Sequence, residues 1–359
     1  MRYLSAGLFI GIAINFFVFY PSPGITIVPE FTAALKNVDG MKASPYKVNK
    51  GHFAVRRGKT LWQIKPHGEI ALKIAPEKEL VSFSGDGTHY IAYEKVGKEI
   101  EFFSTKGDRF WKLDSREYPW LSRNGKIIFL LNGDHSRVRV LNNNGNLTDA
   151  PTFAGRLCTV IAFSSENDFG GAGFLDGSYF FVNDQRKLLI KDRTPDGDPV
   201  KGLAISPGGK YFMIHYGSTA ADSVLLVNPS EEEKAVIPLK EIHLSRSTML
   251  IDDQGNGTVL EGDHILHFDS DGDIRFVVQI APKGRGHGSL AMGEGFVAAG
   301  YTDTTGTGRA VVFDREGRII FSRTCTGESF MDVKALGPNL LLRGSDNLYS
   351  YSLLRADPQ

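Results

Sequence analysis

The chain has 359 residues, 42% of them apolar and 23% charged, enough for a substantial core and too apolar for a disordered bulk. Its 41 basic and 41 acidic side chains cancel, which argues against a broad nucleic-acid surface, since that needs an excess of Lys and Arg. The two cysteines, Cys158 and Cys325, lie far apart and form no CxxC. Zinc-ribbon and thioredoxin-like motifs are therefore excluded, and a disulfide between the two stays open.

The first element is an almost wholly apolar run from Leu4 to Tyr20 behind a single basic residue, Arg2. As a helix it would be about 25 Å long, slightly short of a hydrocarbon core of roughly 30 Å. It ends in bulky aromatics and two prolines rather than the small residues a signal protease prefers. Residues 1–24 are thus expected to be a helical membrane anchor, with a cleaved signal as the alternative. Either way the body lies outside the cytoplasm, on the periplasmic side of an envelope or secreted. Residues 25–45 read as a linker with one candidate strand, "ITIVPEF".

From residue 46 onward one shape recurs: an apolar run, two or three polar residues, then glycine. It is seen in "TLWQIKPHG", "EIEFFSTKG", "RVRVLNNNG", "ILHFDSDG" and "AVVFDREG", ending at Gly68, Gly107, Gly145, Gly272 and Gly317. Looser copies are "SYFFVNDQR", "SVLLVNPSE" and "LYSYSLLRA". Each reads as a strand entering a hairpin turn, because Asn, Asp and Gly accept backbone conformations that other residues resist. The spacing is 39 residues from Gly68 to Gly107 and 38 from Gly107 to Gly145. A period near 40 built from strands predicts four-stranded units. Ser84, Ser122 and Ser206 head a second recurring turn, Ser-x-x-Gly, in "SGDGTHYIAYEK", "SRNGKIIFLLNG" and "SPGGKYFMIHYG".

In these turns residues 46–353 resemble the β-propeller superfamily, whose WD40-like and TolB-like blades often carry Ser-Pro-Asp-Gly here. No Trp-Asp dipeptide closes a blade, and the three tryptophans, Trp62, Trp111 and Trp120, do not supply the quinoprotein signature. The expected fold is all-β, a propeller over residues 46–359. Eight blades are expected, with seven as the alternative. The last unit, "FMDVKALGPNLLLRGSDNLYSYSLL", shows three strands, so an outer strand from the N-terminal side would close the ring.

No sequence motif demands a cofactor, a metal or a catalytic group. "DSDGD", Asp269–Asp273, resembles a calcium loop but puts its glycine fourth and aligns with the hairpin turns of other units. "KGRGHG" lacks the end of a Walker loop, and Arg285 and His287 within it are candidates for holding an anion. His264 and His267, three apart in a strand, point to opposite faces and do not share a metal. The Gly-x-Ser-x-Gly elbow is absent. Two second-to-third-strand loops, "YGSTAADS" and "YTDTTGTGR", are longer than the others and share a face with the blade connections. Tyr118, Trp120, Tyr301 and Asp303 complete the candidate contacts on that face. The expected function is a membrane-tethered scaffold that binds an envelope protein or peptide. The alternatives are a propeller enzyme or small-ligand sensor working at the channel mouth, and an outer-membrane assembly factor.

Overall fold

The computed structural model describes residues 25–355 apart from 36–50, 79, 96, 148–149, 167–168, 231–232, 244–245 and 285–287. The Leu4–Tyr20 run, Arg285 and His287 lie outside the described residues, and so does the expected N-terminal helix. No helix among the described residues is long and apolar enough to cross a membrane.

Strands are grouped in eight antiparallel sheets, each a consecutive stretch of chain. They are blade 1 (Phe53–Ile74), blade 2 (Leu80–Asp114), blade 3 (Tyr118–Ala154), blade 4 (Cys158–Arg193), blade 5 (Val200–Pro238), blade 6 (Thr248–Gln279), blade 7 (Ser289–Cys325) and blade 8 (Met331–Arg355). Blades 2 to 7 have four strands, here A to D in chain order, while blade 1 shows three among the described residues. Contacts between neighbouring blades are densest among the A strands, which therefore sit nearest the axis.

Blade 8 supplies three strands, and Ile25–Ala34 adds the outer fourth, antiparallel to Asn347–Arg355 with Ile25 opposite Arg355 and Ala34 opposite Asn347. The ring therefore begins before residue 46, within the segment expected as linker. The first and last described strands are held in one sheet, so blade 8 cannot peel away without breaking the ladder between them.

Side chains alternate across each strand, so every blade offers an apolar face to both neighbours. In the C strand of blade 4, Phe180 and Val182 enter the core shared with blade 3, while Tyr179 and Phe181 enter the core shared with blade 5. Eight such cores fill eight junctions. One joins blade 8 to blade 1 through Leu341 and Leu348 against Phe53, Val55 and Trp62, so the ring is closed. A polar tie reinforces the closure, Lys334 Nζ donating to the Ala54 carbonyl at 2.5 Å, and at the next junction Gln63 Nε2 of blade 1 donates to the Gly87 carbonyl of blade 2 at 2.7 Å.

The recurring turns have a physical basis. The buried hydroxyls of Ser84, Ser122, Ser164 and Ser206 each accept the backbone N–H five residues on, at 2.9–3.1 Å. Ser164 lacks the glycine that marks the other three copies in sequence. In the C–D turns an Asn, Asp or Ser does the same: Asp269 Oδ1 accepts the N–H groups of Asp271 and Asp273, and Asp314 Oδ1 those of Glu316 and Arg318. "DSDGD" is thus a hairpin turn whose first carboxylate holds the backbone. Gly145 is needed twice over: its φ is 69°, and a methyl group there would lie 2.6 Å from the Trp111 ring of the preceding blade. Cys158 and Cys325 are free and buried in different junctions, 3–4 and 7–8, so they do not pair.

Candidate binding face

Antiparallel order puts the B–C loops and the D-to-A connections between blades on one face, and the A–B and C–D turns on the other. On the connection face the titratable groups gather at blades 5 and 6. Asp222, delivered by the long loop Tyr216–Ser223, is 2% exposed. Its Oδ1 accepts Lys201 Nζ at 2.6 Å; its Oδ2 accepts the His243 backbone N–H at 2.7 Å and lies 3.0 Å from His215 Nε2. Lys201 also donates to the Ser218 carbonyl at 3.1 Å, fastening the A strand of blade 5 to its own B–C loop.

Across the junction, Glu261 Oε2 lies 2.7 Å from His264 Nε2, whose Nδ1 lies 3.0 Å from Asp263. His243, in the connection from blade 5 to blade 6, bridges the halves. Its ring meets the His215 ring edge-on at 5.1 Å, and its Nε2 stands 3.6 Å from Glu261 Oε1, too long for a hydrogen bond.

Burial, and then the neighbouring His243, push the His215 pKa down to about 4 against the pull of Asp222, so the ring is neutral at pH 7. A neutral ring beside a carboxylate carries its proton on Nε2, which leaves Nδ1 a bare acceptor, buried and without a partner. Burial pushes the Asp222 carboxyl up, but Lys201, the His243 N–H and His215 outweigh it, and its pKa lies below the ordinary value. Glu261 follows the same pattern, with burial outweighed by His243 and His264. The groups are spent on one another: each acid already holds a histidine or the lysine. Among the described residues no cluster has the geometry of a metal site.

The residues expected on this face are dispersed. Tyr118 is half-buried against the core of junction 3–4, its ring edge-on to that of His135 with centroids 6.3 Å apart. Trp120, 40% exposed, lies on the A strand of blade 3. Tyr301 is fully buried in junction 6–7. Asp303 organises its own loop. It accepts Thr305 Oγ1 at 2.6 Å, Thr307 N–H at 3.0 Å and Arg309 Nε at 2.6 Å, and these hold its carboxyl far below the usual carboxylate range. Blades 3 and 7 lie across the ring from each other, so these residues form no joint site.

Leu157, in the connection from blade 3 to blade 4, was not among the expected residues. Its φ is 80°, and its side chain is 44% exposed. The next residue, Cys158, donates its N–H at 2.6 Å to the carbonyl of His135, another non-glycine at positive φ, 59°. Ile242, in the connection from blade 5 to blade 6, is 43% exposed on the same face.

No family profile matches the chain, and no curated protein matches it by sequence. Solved structures do resemble it. One is described as dihydro-heme d1 dehydrogenase NirN in complex with DHE, at 11% identity and a TM-score of 0.59, covering 88% of this chain and 75% of that one. Another is the Dos1 propeller, at 11% identity and a TM-score of 0.56, covering 84% of this chain and 94% of that one. Identity that low speaks of architecture alone, and it agrees with the eight closed junctions: the chain is an eight-bladed β-propeller.

Proposed function

We propose that the protein is a non-catalytic binding module that holds a protein or peptide partner on its blade-connection face. The observation that carries this reading is Leu157. A left-handed backbone costs a leucine roughly 1–2 kcal/mol, which a glycine at the same position would not pay. Burial returns only part of that cost, because nearly half of the side chain faces solvent. An apolar side chain kept at a strained, exposed position is what a partner contact requires. The paired state of the carboxylates and histidines at blades 5 and 6 supports the same reading, since none is left as a base beside a nucleophile. The apolar run from Leu4 to Tyr20 supports a tether that keeps the ring at the extracytoplasmic face of a membrane.

The test is affinity capture from detergent-solubilised native membranes with the full chain and its Leu157→Gly variant. The variant should be as stable as the parent or more so, by up to about 1 kcal/mol, and should lose the stoichiometric partner that the parent recovers. Equal recovery by both, or no stoichiometric partner for the parent, would sink the proposal.

A further inference from the structure

In the outer strand of blades 1, 2, 4, 6 and 7 one residue bulges out of the ladder at the same place, just after the C–D turn. It is Ala71, Phe110, Leu189, Arg275 and Ile320 in turn. A bulge re-aims the side chain of the extra residue. Ala71 is buried, Leu189 and Ile320 are half-buried, and Arg275 is held by Asp269. Phe110 alone among the five is an exposed aromatic, 53% open to solvent.

Phe110 leans over a stack of rings. His89 and Trp111 lie on Phe102 at 5.4 and 5.3 Å, and Phe110 meets Phe102 at 5.4 Å and His89 at 5.7 Å. Trp111 is fixed in place: its indole N–H donates to the Asn143 carbonyl at 2.8 Å, and Gly145 closes against its ring. These four rings, with Asn143 and Asn144 of the blade 3 C–D turn, line a groove of about 330 Å³ at junction 2–3. That is within the size range of small-molecule sites.

Grooves open at corresponding places at junctions 5–6 and 6–7, but their walls are charged. Lys234 and Asp271 line the first, and Asp252, Arg275, Asp314 and Glu316 are among those lining the second. The groove at junction 2–3 is lined by no lysine, arginine or carboxylate. Its polar groups are amides. Asn142 holds the turn, its Oδ1 accepting the Asn144 N–H at 3.2 Å, and among the described residues the side chains of Asn143 and Asn144 make no hydrogen bond. Each such amide offers two donors and an acceptor. An ion would find no counter-charge here, and a nucleotide would bring phosphates that nothing neutralises. A wholly apolar ligand would cover the amides without replacing their water. The body that fits has a face of C–H groups and a rim of hydroxyls, which describes a pyranose: its C–H face lies against the electron-rich face of a ring, and its hydroxyls pair with amides.

We propose that the groove at junction 2–3 binds a neutral saccharide, with a sugar ring against Phe110 and its hydroxyls on Asn143 and Asn144. This site lies on the turn face, opposite the partner contact, and stands independently of it.

The experiment titrates the full chain, in detergent, with neutral oligosaccharides of glucose, mannose, galactose and N-acetylglucosamine, and follows tryptophan fluorescence in a Trp120→Phe background. Trp62 is fully buried, so Trp111 is the reporter. At least one sugar should saturate the signal with a Kd below about 1 mM, while oligogalacturonate and adenosine bind at least about tenfold more weakly. Phe110→Ala and the double variant Asn143→Ala/Asn144→Ala should each weaken that sugar about tenfold. The double variant should leave Tm essentially unchanged, because neither amide side chain holds another group. Should Phe110→Ala fail to fold, the double variant carries the same test. No saturation by any neutral sugar at about 10 mM, tightest binding by oligogalacturonate or adenosine, or undiminished affinity in the double variant would overturn the assignment.

Discussion

Between blades 3 and 4 the contact is made of rings. Phe180 stacks on Phe153 at 3.9 Å and meets Phe129 at 5.7 Å and Phe174 at 6.4 Å. Between blades 5 and 6 the core is again apolar, with Met213, Val259 and Phe268, but the connection side is closed by two buried carboxylates, three histidines and a lysine. The first junction gains stability by removing area from water, without regard to direction or pH. In the second, one side chain moved out of place leaves a buried charge unmatched. The apolar contact supplies cohesion. The polar one fixes the relative position of two blades and ties that position to protonation.

The largest expected effect tests the apolar side. Phe180→Ala should cost about 3–5 kcal/mol in urea denaturation, since its three ring neighbours would line the cavity left behind. The loss should be the same at pH 5 and pH 8. A cost below about 1 kcal/mol would mean that the junction collapses freely and that rings are not its main support.

Next is acid sensitivity on the polar side. His215 has a folded pKa of about 4 against an ordinary 6.5, so the unfolded chain binds its proton first. The stability it contributes is complete above pH 6.5 and drains away as pH falls toward 4, on the order of 3 kcal/mol in all. Denaturation curves across this window should show that slope, and His215→Phe should remove most of it. A remainder is expected from His267, whose pKa burial also lowers. An unchanged slope in His215→Phe would place the acid-sensitive element elsewhere.

The contrast also explains what the sequence could disclose. A ring of repeated sheets leaves repeated turns, and Gly68, Gly107, Gly145, Gly272 and Gly317 announce the period because their positive φ leaves few alternatives. Apolar junctions are equally legible, since alternation along one strand marks both faces. The polar network is not. Lys201, His215, Asp222, His243, Glu261 and His264 come from two blades and the connection between them, and each looks like an isolated polar residue. The one trace was the extra length of Tyr216–Ser223, the loop that delivers Asp222. Leu157 left no trace, because leucine carries no signature of positive φ.

The smallest effect separates charge from shape. Glu261→Gln keeps the volume and still offers an oxygen to His264, but it exchanges a charge-assisted hydrogen bond for a neutral one of about half the strength. At pH 7 the variant should be less stable by about 1 kcal/mol. The folded pKa of Glu261 lies below its ordinary 4.5. The parent's advantage is therefore present above pH 4.5 and lost as the carboxylate gains its proton below that value. Urea midpoints of parent and variant should differ at pH 7 and converge on acidification. A difference that persists at low pH would mean that the glutamate acts through packing, and the chemical contrast between the two junctions would then rest on Asp222 alone.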